Sequence, residues 1–254
     1  MIDVKVIRRT TDQPDLAVLT SNVVRTSSIP PVLLVHGMGG DHSSWREITG
    51  QLAANRRSVI AVDLRGHGRS QHAARYALDD FAEDLGAVLD ALAVPQVDVV
   101  AHSLGAHSAL RLASAQPERV RRLVLEEPPP VPQHDDDLAE RIVPAFTGLG
   151  DRLRGMRALV TNPMPFVRYD RAVPDAVTPQ FERTEPQWWA GLARVEAPAV
   201  VVSGGERSFL PPRHLRRVAE ALPRGDFVTI DSSHSVHRDR PREFGALMLT
   251  HLAG

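Results

Sequence analysis

A mostly parallel β-sheet flanked by helices, the α/β class, is the fold this sequence predicts. Short apolar runs alternate with amphipathic segments of helical length over most of the chain. Strands that alternate with helices build right-handed β-α-β crossovers, and runs this short and apolar suit strands buried on both faces. At 254 residues the chain is long enough for one large domain with a sizeable core.

The elements follow in order. Val4 to Arg8 and Leu16 to Val24 predict an opening hairpin. Four buried strands are then expected at Val32 to Val35, Ser58 to Val62, Val97 to Ala101 and Leu123 to Leu125. Helices are expected between them at Ser44 to Ala54, Leu78 to Leu92 and Ser103 to Ala115. Pro128-Pro129-Pro130 stops the alternation, because three prolines forbid helix and central strand alike. From there to about Pro186 the sequence is irregular, and its acidic run Asp135-Asp136-Asp137 reads as a solvated loop or helix start, not a metal site. Alternation resumes with a strand at Ala199 to Ser203, a helix near Pro212 to Leu222, a strand at Phe227 to Asp231 and a closing helix from Arg242 to Leu252. The predicted division is a core of residues 1–127 and 187–254, with 128–186 inserted after the sixth strand as a cap over the carboxyl ends of the strands. Open α/β sheets bind their ligands there.

Composition narrows the function. A formal net charge of −1 and no obviously basic face argue against nucleic acid as a partner. Lys5 is the only lysine, so arginine carries nearly all the positive charge. There is no cysteine, which excludes disulfides, thiolate metal sites and a cysteine nucleophile. The first residues, Met1-Ile2-Asp3-Val4-Lys5-Val6, lack the apolar stretch of a signal peptide, and no run approaches the roughly 20 apolar residues of a membrane span. A cytoplasmic location is expected.

Four segments carry the chemistry. His36-Gly37-Met38-Gly39-Gly40 follows the first buried strand, and Asp63-Leu64-Arg65-Gly66-His67-Gly68-Arg69-Ser70 follows the second. The third is Ala101-His102-Ser103-Leu104-Gly105, where an apolar run turns directly into a helix-like segment. Small residues flanking a serine at such a junction fit a nucleophile elbow, with Ala101 replacing the usual first glycine. The fourth is Ser232-Ser233-His234-Ser235-Val236-His237, followed by Arg240-Pro241-Arg242-Glu243-Phe244. In this order and spacing the segments resemble the α/β-hydrolase superfamily, over essentially the whole chain apart from the insertion.

The resemblance implies a role for each piece. A serine hydroxyl is a poor nucleophile at neutral pH and needs an adjacent base. Ser103 is the expected nucleophile and His234 the expected base, then acid for the leaving group. His237 competes in the same loop but reads as a surface residue. The backbone amides of Met38 and Leu104 are the implied oxyanion hole. Asp63 to Ser70 is read as a structural turn, His102 as a lining or packing residue, and His36 as ordering its own loop. Neither a cofactor nor a metal is implied.

The acid departs from the common pattern. In most of the superfamily a carboxylate follows the strand after the cap, but here that stretch reads Ser203-Gly204-Gly205-Glu206-Arg207-Ser208, and the position falls on Arg207 or Ser208. Other members carry the acid one strand earlier, where this chain has Glu126-Glu127-Pro128. Glu127 is the first candidate, Glu126 the second and Glu206 the third. Adjacent residues at a strand end point to opposite faces, so only one of the first two can reach His234.

Serine at the nucleophile position disfavours the dehalogenases and epoxide hydrolases of this superfamily, which use aspartate. The expected function is a serine hydrolase cleaving a carboxylic ester, lactone or thioester through an acyl-enzyme. A serine-type C–C bond hydrolase is one alternative, and a ligand-binding or non-hydrolytic member catalysing a cyclisation or lyase step is another. The partner would be a small acyl substrate, neutral or apolar, because the insertion shows no cationic cluster facing inward. Phe146, Met156, Met164, Phe166, Val167 and Tyr169 are candidates to line its pocket, and one of Trp188 and Trp189 to face the cleft.

Overall fold

The computed structural model describes residues 2–21, 29–138 and 168–254. Among these residues eight strands form one sheet: β1 (Ile2–Ile7), β2 (Leu16–Ser21), β3 (Val32–Val35), β4 (Val59–Val62), β5 (Val97–His102), β6 (Val120–Glu126), β7 (Ala199–Ser203) and β8 (Gly225–Thr229). Their spatial order is β1-β2-β4-β3-β5-β6-β7-β8. β1 and β2 form the antiparallel hairpin, β2 joins β4 antiparallel, and every later pairing is parallel. The fold is therefore the α/β class expected from the alternation.

Strand alternation sorts the apolar residues onto two cores. On one face Leu33, Val35, Ile60, Val62, Val99, Leu123, Leu125 and Val201 pack under helices α2 (Leu78–Ala91) and α3 (Leu104–Ala115). On the other, Val32, Leu34, Val59, Ala61, Val100, Val124 and Val202 meet Ile48 and Leu52 of α1 (Arg46–Ala54) and the closing helix's Phe244, Met248 and Leu252. These side chains are essentially unexposed. Full burial of each stabilises the fold by about 1.5–3 kcal/mol.

Some expected elements shift. β6 begins three residues before Leu123, because Val120 and Arg122 pair with Val97 and Asp98 around a register shift at Arg121, which salt-bridges the buried Asp98 of β5. β8 lies two residues earlier than the Phe227 to Asp231 run, since Gly225 pairs with Ala199 and sets the register. Proline density does not keep the described part of the stretch after β6 irregular. It contains α4 (Asp135–Leu138), α5 (Ala172–Val177) and the start of α6 (Pro186–Leu192). In α6 proline sits at the first helical position, where its missing N–H costs nothing. The acidic run opens α4: Asp137 accepts the amides of Gln133 and His134 and pairs with Arg217. Trp188 and Trp189 are both buried, against the expectation that one would face the cleft. Phe146, Met156, Met164, Phe166 and Val167 lie outside the described residues.

The remaining α-helices among the described residues are α7 (Pro212–Ala221), α8 (Val236–Asp239) and α9 (Pro241–Ala253). The carboxyl ends of β3, β5, β6, β7 and β8 bring Gly37, Ser103, Glu127, Ser208 and His234 together above the sheet.

Candidate active site

β5 ends at His102 and α3 begins at Leu104, leaving Ser103 alone to make the turn with φ 52° and ψ −120°. An L-residue held there costs on the order of 1–3 kcal/mol and persists only where its surroundings over-determine it. They do so here. The Ser103 amide donates to Glu126 O at 2.9 Å, and its carbonyl accepts from the His107 amide at 3.0 Å. Gly105 lets the helix lie on β3, because a Cβ there would run into the carbonyl oxygens of His36 and Val35. Gly105→Val is accordingly expected to yield little soluble protein, checked by expression and thermal melting.

His234 stands on the loop after β8, between two partners. Its Nε2 is 3.0 Å from Ser103 Oγ, and its Nδ1 is 3.0 Å from Glu127 Oε2. Glu127 also departs from normal backbone geometry, with φ 52° just past the end of β6. Its amide still continues the ladder to Val202 O at 2.9 Å. The unexposed carboxylate accepts the Gly204 amide at 2.5 Å and the Ser208 hydroxyl. Burial pushes Glu127 up to about 7, opposed by the hydrogen bonds from Ser208, Gly204 and Ser203. The imidazole thus has a hydroxyl on one nitrogen and a carboxylate on the other, the arrangement needed to take a proton at Nε2 while the positive ring is stabilised at Nδ1.

The other acid candidates lie elsewhere. Glu126 points to the opposite face and holds His237, whose amide is 3.0 Å from Oε1 and whose Nδ1 is 2.6 Å from Oε2. Glu206 is exposed on a 3-10 turn, Gly205–Arg207. Of the two residues at the usual acid position, Arg207 pairs with Asp231 at the surface, whereas Ser208 faces Glu127. His237 is not the surface residue its sequence context suggested. It is 2% exposed and stacks on Trp45 with ring centroids 4.2 Å apart, because Glu126 draws it inward.

Gly37 to Gly40 forms a turn closed by the Gly40 amide on Gly37 O at 3.0 Å, with φ +74° at Gly39. This turn carries Met38, and Leu104 opens α3. Neither amide donates to a protein acceptor among the described residues, and the amides of a helix's first turn have no partner within the helix. His36 ties the loops together: its Nδ1 donates to Gly37 O at 2.8 Å and its Nε2 accepts the Leu64 amide at 3.0 Å.

The family description "alpha/beta hydrolase fold" matches residues 30–162, just over half of the chain. The chain belongs to the alpha/beta hydrolase family. A 2-hydroxymuconate semialdehyde hydrolase from Pseudomonas sp. is 29% identical over 246 residues, spanning 88% of this chain and 87% of that protein. A carboxylesterase structure from Nitrososphaera gargenis superposes with a TM-score of 0.82 at 18% identity, covering 98% of each chain. The enol-lactonase of Burkholderia xenovorans gives 0.77 at 22% identity, over 95% of this chain and 97% of that one. At these identities the two structures speak for the fold alone.

Within this alpha/beta hydrolase, four contacts around His234 were not foreseen from sequence. Phe209 lies against its ring at a centroid distance of 4.0 Å. His102 donates from Nε2 to the His234 carbonyl at 2.9 Å, so it fixes the backbone of His234 as well as packing beside its ring. Burial keeps His102 well below the ordinary histidine range. Ser208 and Gly204 complete the setting by holding the Glu127 carboxylate. One signal for the Glu126–His237 contact was present: two adjacent acids at a strand end point opposite ways, and the loop after β8 offers two histidines three residues apart. Tyr169 packs against His67 at 4.7 Å, while the Asp170 amide donates to Gly66 O at 2.8 Å and Tyr76 donates to its carboxylate. No helix among the described residues is long and apolar enough to cross a membrane.

Proposed function

We propose that this alpha/beta hydrolase is a serine hydrolase that cleaves a carboxylic ester, lactone or thioester through an acyl-enzyme. One observation carries the reading: a single imidazole lies 3.0 Å from both the Ser103 hydroxyl and the Glu127 carboxylate, through different nitrogens. Ser103 Oγ attacks the carbonyl carbon as His234 Nε2 takes its proton. Charge then develops on the carbonyl oxygen, facing the amides of Met38 and Leu104. Such donors are worth on the order of 100- to 1000-fold in rate each. The tetrahedral adduct collapses to acyl-Ser103 and expels the alcohol or thiol, which leaves with the proton from His234. A water activated by the same imidazole releases the acid and restores Ser103. Glu127 holds the tautomer with Nδ1 protonated throughout.

Residues 128–186 serve in this reading as the cap that supplies substrate contacts. The packing of Tyr169 and Asp170 onto the loop after β4 supports placing their end of that segment above the strand ends. The semialdehyde hydrolase relative favours a second reading, in which the same serine and base cleave a C–C bond next to a carbonyl. Hydrolysis of p-nitrophenyl esters of increasing chain length, by wild type and Ser103→Ala in parallel, tests the first. Activity confined to the wild type supports it, while equal activity in the mutant would overturn it.

A further inference from the structure

The Glu126–His237 pair is left unused by the chemistry above, yet it adjoins every part of it. Glu126 directly precedes the acid, and His237 follows the base by three residues. Both are 2% exposed or less, and two hydrogen bonds join them, from the His237 amide at 3.0 Å and its Nδ1 at 2.6 Å. The two Glu–His pairs lie on opposite faces of the strand end, because β6 alternates there. His102 stands between them, its ring 4.8 Å from that of His234 and 5.2 Å from that of His237.

We propose that Glu126 and His237 act as a positioning pair, anchoring the loop after β8 so that His234 Nε2 stays within reach of Ser103. This inference rests on the hydrolase reading above. Two of the loop's anchors flank the base: His102 holds the His234 carbonyl, and Glu126 holds the backbone and ring of His237, while the Ser232 amide donates to Gly204 O before it. His237 Nε2 is buried with no hydrogen-bond partner among the described residues, and its ring lies against Trp45. A proton on Nε2 would be an unsatisfied buried donor, so the neutral ring carries its proton on Nδ1 and donates it to Glu126. Loss of either partner frees one end of the loop and leaves a buried polar group unpaired. A displacement of about 1 Å at the base is enough to cost roughly 100-fold in turnover.

The test compares His237→Leu with His237→Asn, whose side-chain amide can still donate to Glu126 from near the Nδ1 position. With a p-nitrophenyl ester, His237→Leu is expected to lower kcat by about 10- to 100-fold with KM within about threefold, and His237→Asn to recover most of that loss. A folded His237→Leu enzyme with wild-type kcat would overturn the proposal, as would equal losses in both variants. Should the leucine variant fail to fold, Glu126→Gln takes its place. A lowered kcat at unchanged KM there supports the pair, and a wild-type kcat overturns it. Ser103→Ala, run alongside, separates the two levels: activity persisting in that mutant defeats the hydrolase reading itself, whereas a dead Ser103→Ala beside a fully active His237→Leu defeats only this inference.

Discussion

His234→Ala is expected to lower kcat by about 10⁴- to 10⁶-fold while leaving the protein folded. The imidazole is the group within 3.0 Å of the Ser103 hydroxyl that can accept its proton. Without it, both formation and hydrolysis of the acyl-enzyme lose their base. Rapid-mixing kinetics with a p-nitrophenyl ester should therefore show neither a burst nor a steady rate above background. A surviving burst would show that acylation draws on another base.

Glu127→Gln is expected to lower turnover by about 10²- to 10⁴-fold, against less than about twofold for the exposed Glu206→Gln. Glutamine retains the volume but presents no anion to Nδ1. Its effect on stability should run the other way with pH. Burial raises this carboxyl from 4.5 to about 7 in the fold, so the folded chain binds a proton more tightly than the unfolded one between those values. The stabilisation from that proton is fully present below 4.5 and is lost as pH rises through about 7. Removing the carboxyl removes this slope, so relative to wild type the mutant should be more stable at pH 8 than at pH 5, by on the order of 1–3 kcal/mol. Thermal melts of both proteins at the two pH values check the sign. Glu126, pushed up mainly by its own burial, contributes a slope of the same sign to both proteins.

The strands and most helices were legible because their apolar periodicity is set by burial on one or two faces. Val32 to Val35 and Ala199 to Ser203 fall where their uninterrupted apolar runs put them. β6 extended past its apolar run because Arg121 is paid for by Asp98, a partner on another strand that no local pattern reveals. The serine turn was readable from Ala101 to Gly105, since close backbone approach demands small residues. The choice between Glu126 and Glu127 was half legible: alternation said that only one could meet His234, and the positive φ at Glu127 is what aims it there. What the sequence could not display was the use made of the other side chain. His237 looked solvent-facing because its loop is mostly polar, and Glu126, 111 residues away in the chain, together with Trp45 holds it in the core. Ser208 hid its part in the same way. In sequence it reads as a missing acid, and in space it donates to Glu127, just past the end of the neighbouring strand β6.

Trapping Ser103 is the most direct measurement. Intact mass and peptide mapping after treatment with a fluorophosphonate should show one phosphonyl adduct, on Ser103, in the wild type. Ser103→Ala should show none, and His234→Ala should label far more slowly. No adduct on folded wild-type protein, or an adduct on a different serine, would contradict the account.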